Sequence, residues 1–147
     1  MTKSLHVWLV DDQADEQFLV RRVISRLPVS VELRIIDGAK RAMRTLEAAT
    51  GSEQLPHLII CDVKMPEMDG FDFLMWLRQS RWKHLPVVMC SNSESTLDVT
   101  RAYALGANAY HVKAATLDGM RNCFESLTNY WSQSVELPTV RVCNPDN

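Results

Sequence analysis

Residues 58–70 read LIICDVKMPEMDG. Four residues suited to a buried strand, 58–61, run straight into a carboxylate, Asp62, and a turn with proline and glycine follows at once. A core strand does not ordinarily end in an acid, because burying an ionised group is costly unless an opposite charge attends it. The same arrangement stands earlier, in HVWLVDD at 6–12, where an apolar run leads into Asp11 and Asp12. The fold is decided by whether these two strand tips come together.

Working outward, strand-like apolar runs recur at 5–10, 31–36, 57–61, 86–90 and 109–112. Between them apolar residues take a helical period. Val20, Val23, Ile24 and Leu27 fall at i, i+3, i+4 and i+7, as do Ala39, Ala42, Met43 and Leu46. Phe71, Leu74 and Leu77 form a shorter stripe, and the segment after Ser91 is only weakly amphipathic. Leu117, Met120, Phe124, Leu127 and Trp131 give the clearest stripe. Gly51 and Gly106 stand where helix C-terminal caps are expected. Ser93 with Glu94, and Thr116 with Asp118, read as helix starts carrying first-turn acids. One strand about every 25 residues is the length of a βα unit. Near-continuous apolar strands alternating with helices predict a parallel sheet covered on both faces.

At 147 residues the chain is the size of one domain with a continuous core. Apolar residues at 46 % and charged residues at 23 % are ordinary globular usage. A net charge of −2 and a pI near 6.1 argue against a basic nucleic-acid-binding face. No apolar run approaches the roughly 20 residues that span a bilayer, and the N-terminus lacks the apolar core and cleavage site of a signal peptide. Cys61, Cys90, Cys123 and Cys143 form no zinc-binding spacing, and His6, His57, His84 and His111 are scattered. A reduced, cytoplasmic protein without nucleic-acid or membrane partners is expected.

In doubly wound sheets, ligands bind beyond the carboxyl ends of the strands, where the winding direction switches. In the flavodoxin-like order 2-1-3-4-5 that point lies between the first and third strands, the two tipped by Asp11, Asp12 and Asp62. Three carboxylates in one hollow raise one another's pKa unless a cation intervenes. A hard divalent ion with oxygen ligands, most simply Mg²⁺, is the natural remedy. Ser91 ends the fourth strand with a hydroxyl, and Lys113 ends the fifth with an ammonium suited to phosphate. These are the parts needed to phosphorylate a carboxylate, the aspartate attacking in line.

With LVDD, DVKMPEMDG, PVVMCS and GANAYHVK in that order, the chain resembles response-regulator receiver domains of the CheY-like family over about residues 5–131. The resemblance implies a flavodoxin-like, doubly wound, five-stranded parallel sheet with five helices. Residues 1–131 would form the receiver domain, and 132–147 an extended tail with no output domain. Asp62 would be the phosphoacceptor. Asp11, Asp12, Asp62 and the backbone carbonyl of Lys64 would hold Mg²⁺. Ser91 would bond the phosphoryl group and move on activation, Lys113 would contact the phosphoryl oxygens, and Tyr110 would turn inward as that hydroxyl moves. The expected partner is a sensor histidine kinase. The opening VDDQADEQFLVRR and the tail resemble, more narrowly, single-domain regulators paired with bacteriophytochrome kinases.

The sequence departs from the family pattern twice. Lys113 is followed by Ala114 where the family usually has proline, often after a cis bond. A cis bond before alanine costs about 2.5–4 kcal/mol, so a trans or strained link is expected. Asn92 replaces the usual small residue after Ser91, and its bulk is expected to limit water access and slow dephosphorylation. In the tail, Val135, Leu137, Val140 and Val142 are apolar for a solvated end, and Pro138 excludes a regular helix. Extended chain laid on its own domain or on a second protomer is expected, the latter giving a homodimer by exchange of arms. Two rival functions are a phosphorylation-independent adaptor, which the Lys113–Ala114 departure favours, and a haloacid-dehalogenase-like phosphatase. Those phosphatases carry DxD on strand one, whereas this chain has adjacent acids there and no cap insertion.

Overall fold

The structure, a computed structural model, describes residues 4–138. The expectations for Val140, Val142 and Cys143 fall outside these residues. Five strands, β1 (Leu5–Val10), β2 (Val31–Ile36), β3 (Leu58–Asp62), β4 (Val87–Ser91) and β5 (Ala109–Val112), alternate with five helices. The helices are α1 (Ala14–Ser25), α2 (Ala39–Glu47), α3 (Gly70–Gln79), α4 (Thr96–Ala104) and α5 (Leu117–Asn129). Every strand pairing is parallel, in the order β2-β1-β3-β4-β5. The third and fourth strands run one residue later than the apolar runs suggest, because Asp62 and Ser91 still belong to the hydrogen-bonded ladder. Both chemical groups therefore stand on rigid sheet rather than on loops.

Strand residues alternate between two apolar layers. Trp8, Val10, Ile59, Cys61, Val87 and Met89 face α2, α3 and α4, packing on Ala42, Leu46, Phe73, Leu74 and Leu77. Val7, Leu9, Leu58, Ile60 and Val88 face α1 and α5, packing on Val20, Val23, Ile24, Phe124 and Leu127. The predicted helix stripes thus supply the core, with one exception. Leu117, the first residue of α5, is 52 % exposed. Leu137 of the tail, like Trp131, packs partly buried against the α1–α5 layer.

Helix ends follow the predicted caps only in part. Thr116 accepts the Gly119 N–H and starts α5. Gly106 takes φ +103° just past α4, as a C-terminal glycine should. Gly51 does not cap α2, which ends at Glu47 with Ala48 as its cap. Its backbone is extended and leads into a 3-10 turn, Ser52–Gln54. Ser93 does not start α4 either, since Ser95 is the flanking residue and the helix begins at Thr96.

Candidate active site

β1 and β3 pair with Val10 opposite Cys61, so the next residue on each strand brings Asp11 beside Asp62. Both side chains are buried, and one carboxylate oxygen from each of Asp11, Asp12 and Asp62 lies within 4.8 Å of the others. The turn after β3 is tight for a steric reason. α3 starts at Gly70, where a Cβ would run into the backbone carbonyl of Asp62. Asp69 and Asp72 close a reciprocal capping box over that start. The DG of MPEMDG is thus what lets a helix begin against the acid-bearing strand tip.

Asp11 divides its carboxylate between two tasks. Oδ1 accepts the Gln13 N–H at 2.7 Å, fixing the entry to α1, while Oδ2 lies 4.0 Å from Lys113 Nζ. Asp12 Oδ1 is buried and has no hydrogen-bond partner among the described residues. A buried orphan carboxylate oxygen beside two further carboxylates is a donor set that a hard divalent cation fits.

Lys113 reaches this hollow from the end of β5, its Nζ 3.2 Å from Asp62 Oδ1. The Lys113–Ala114 peptide is trans, like every peptide of the described residues, and the ammonium still finds the acid. Its shortest contacts, at 2.6 and 2.8 Å, go to both oxygens of Glu16. Sequence reasoning missed Glu16, which reads as an ordinary first-turn acid favoured by the helix dipole. A signal was present, because Glu16 lies one helical turn before Val20, on the stripe that faces the core.

Burial, and then the neighbouring Glu16 carboxylate, push Asp11 up to about 8. Burial also raises Asp62, against the opposing pull of Lys113. Burial acts in the same sense on Glu16, but hydrogen bonds with Asp11 and Lys113 outweigh it and hold that group below the usual glutamate value. For Lys113, burial alone would weaken the charge, yet Glu16 and Asp62 overcome it and hold the ammonium above its ordinary value.

Ser91 is buried at the tip of β4, and its carbonyl accepts the Lys113 N–H at 2.8 Å. Its hydroxyl accepts the Ser93 N–H at 3.1 Å. Tyr110 packs half-buried on the core and donates its hydroxyl to the Ser93 carbonyl at 2.9 Å. Ser93 Oγ donates to Asp98 at 2.6 Å and accepts the Ser95 N–H at 3.2 Å. Ser93 therefore ties together β4, β5 and α4 instead of starting a helix. The Lys64 side chain is exposed while its N–H donates to the Asp62 carboxylate. Asn92 is exposed.

Beneath the acids a small cavity of about 50 Å³ is walled by apolar residues of β1, β3, α1 and α5, with Cys90, His111 and Cys123. On the open side a groove of about 560 Å³ runs past Asp12, Lys64, Asp69, Phe71, Asp98 and Arg101. The groove is lined by Asp12 and by Val63 and Lys64, the two residues that follow Asp62, while Asp62 itself lines the cavity with the apolar floor.

The response regulator receiver domain family matches residues 7–125 of the chain. The chain is 37 % identical over 111 residues to the two-component response regulator ORR3 of Oryza sativa subsp. indica, spanning 74 % of this chain and 79 % of that protein. It is 29 % identical over 135 residues to the response regulator Rcp1 of Synechocystis sp., spanning 90 % and 92 % of the two. The crystal structure of the Mn²⁺-bound form of Rcp1 superposes with a TM-score of 0.80 at 28 % identity, covering 91 % of this chain and 99 % of that one. Response regulator RPA3017 in red light signaling of R. palustris gives 0.84 at 28 % identity, covering 92 % and 99 %. With the strand order and the acidic hollow already in place, the conclusion is that the chain belongs to the response regulator receiver domain family.

Proposed function

We propose that Asp62 is the residue on which this response regulator receives its phosphoryl group, from the phosphohistidine of a sensor histidine kinase. The observation that carries the reading is the setting of Asp62, buried between the orphan oxygen of Asp12 and an ammonium 3.2 Å away. A carboxylate oxygen of Asp62 attacks phosphorus as the P–N bond to the kinase histidine breaks, and that nitrogen keeps the bonding pair. Mg²⁺, held by Asp11, Asp12, Asp62 and the Lys64 carbonyl, would neutralise phosphoryl oxygens. Lys113 takes up the charge on the opposite side, and the Ser91 hydroxyl supplies a donor once it turns toward the new group. In this reading the chain is a signalling module that promotes only its own phosphorylation and dephosphorylation.

The charge change is read out next to Ser91. Movement of its hydroxyl disturbs the Ser93 N–H bond, and through Ser93 both Tyr110 and Asp98 of α4 feel it. Leu97 at 82 %, Tyr103 at 51 % and Val112 at 41 % exposure sit on α4 and β5, with Leu117 and Tyr130 near the two ends of α5. We infer that this apolar face meets the partner. A bacteriophytochrome kinase is the partner class we propose, in keeping with the red light signaling in which the similar response regulator RPA3017 takes part, and a cytoplasmic location goes with it. In the homodimer by arm exchange that we propose, a partner's tail would make the contact that Leu137 makes here with the chain's own α1–α5 layer, and removal of 132–147 is then expected to give a monomer in light scattering.

The test is intact-mass spectrometry after incubation with acetyl phosphate and Mg²⁺. One added phosphoryl group on the wild type, absent with EDTA and in Asp62→Asn, is the expected result. An adduct that survives Asp62→Asn would overturn the assignment. No adduct, together with no binding of beryllofluoride, would favour a phosphorylation-independent adaptor.

A further inference from the structure

The side-chain donors of Lys113 are already spoken for. Its three N–H groups face Glu16 Oε2 at 2.6 Å, Glu16 Oε1 at 2.8 Å and Asp62 Oδ1 at 3.2 Å. The two distances to one nitrogen bring oxygens of Glu16 and Asp62 within about 6 Å of each other, well inside the range of unscreened repulsion. The lysine is 16 % exposed and Glu16 22 %, so water does little to weaken either interaction.

A phosphoryl group on Asp62 places up to two negative charges in this hollow, and its oxygens need donors. Lys113 can serve them only by giving up a bond to Glu16. At the same time the Glu16 carboxylate repels the incoming dianion directly. Both effects have one sign. We propose that Glu16 is a positioning residue that acts through Lys113, a resident competitor which holds the ammonium in the unphosphorylated state and weakens the grip of the site on a phosphoryl group. The inference rests on the phosphoacceptor reading above. It gives the protein a built-in bias toward release of the switch, set by a side chain that grips the lysine and hydrogen-bonds Asp11 but is itself neither the acceptor carboxylate nor one of the groups proposed to hold the metal.

The probe is beryllofluoride with saturating Mg²⁺, titrated by calorimetry into wild type, Glu16→Gln, Lys113→Ala and the double variant. Glu16→Gln keeps the shape and removes the charge, and it is expected to tighten binding about tenfold. In the Lys113→Ala background the same substitution is expected to gain markedly less, because no ammonium remains to be released. A merely structural role for Glu16 would loosen the site and weaken binding. Weaker or unchanged binding by Glu16→Gln overturns the proposal, as does a gain undiminished without Lys113. Should the amide variant fail to fold, Glu16→Asp carries the test, since its shorter reach breaks the two-oxygen grip and a smaller gain is expected, any loss counting against the idea. Wild type that fails to bind beryllofluoride, or binds it equally as Asp62→Asn, would sink the phosphoacceptor reading instead, so the two failures are told apart.

Discussion

The metal-free protein should lose stability as pH rises from 6.5 to 8, and Asp11→Asn should remove most of that loss. In the folded chain, burial and Glu16 push Asp11 up to about 8, while an unfolded aspartate titrates near about 4. Between those values the folded state holds a proton that the unfolded chain has shed. A raised carboxylate pKa therefore contributes stability at low pH that drains away as pH climbs, by about 1.4 kcal/mol per unit. Asp62 is raised as well and adds in the same direction. His111 works the other way, since burial lowers its pKa, but its effect is confined to pH below about 6.5. From pH 6.5 to 8 the expected loss is about 2 kcal/mol, or about 4–8 °C in Tm for a chain of this size. Asparagine at position 11 still offers an oxygen to the Gln13 N–H, so the entry to α1 survives the change. The assay is thermal unfolding by circular dichroism at pH 6.5, 7.2 and 8.0 in EDTA, repeated with Mg²⁺. Ligation needs ionised carboxylates, so Mg²⁺ should flatten the slope and raise Tm most at pH 8. A Tm that is flat or rising with pH in EDTA, or a slope unchanged in Asp11→Asn, would refute the reasoning.

Three other outcomes follow from the geometry. Arg78 donates to the carbonyls of Gly106, Lys83 and Leu85 and to Asn108 Oδ1, at 2.8–3.1 Å, pinning α3 to the loops that flank β4 and β5. Arg78→Ala is expected to cost about 3 kcal/mol in urea unfolding, and Arg78→Lys to recover less than half, because one ammonium cannot span a planar fork of acceptors. Gly70→Ala drives a methyl into the Asp62 carbonyl and Met89, so a loss of about 1–3 kcal/mol is expected, together with slower labelling by acetyl phosphate. Ser93→Ala removes the bonds to Asp98 and Ser95 and should cost about 1–2 kcal/mol. It should also broaden the amide resonances of α4 in NMR spectra.

What was legible in the sequence was whatever depends on strand order. Apolar runs without periodicity gave the buried parallel strands, and the residues that end them, Asp11, Asp62, Ser91 and Lys113, meet because parallel strands in this order put their carboxyl ends at one edge. What escaped was whatever depends on where a helical side chain points across space. Glu16 and Arg78 look like solvated helix charges until the first turn of α1 meets Lys113 just past β5 and α3 meets the loop at Gly106. Gly51 misled because a glycine near a helix end is read as its cap, whereas Ala48 already closes α2 by donating to the Arg44 carbonyl. Conversely Gly38, at φ +99° before α2, carries a real backbone requirement that no periodic pattern marked.

The strand-tip acids make sense as a charge deficit that the fold maintains. Three carboxylates, Asp11, Asp62 and Glu16, surround one ammonium in a hollow with an apolar floor, and Asp12 stands beside two of them with one oxygen left with no partner among the described residues. Such a cluster opposes folding, which is why Asp11 binds a proton so firmly. The cost, of the order of a few kcal/mol, is tolerable only in a scaffold with a two-layer core to offset it, and here both faces of the sheet are covered. Filling the hollow with apolar residues would stabilise the chain and leave nothing for a cation or a phosphoryl group to complete. The deficit is also what makes the site responsive. Because the lysine is already shared between Glu16 and Asp62, any new charge on Asp62 must redistribute it. The Lys113 backbone N–H is bonded to the Ser91 carbonyl, so that redistribution is felt at the start of the loop that Ser93 anchors. Charge balance at the strand tips and the position of α4 are thereby parts of one mechanical unit.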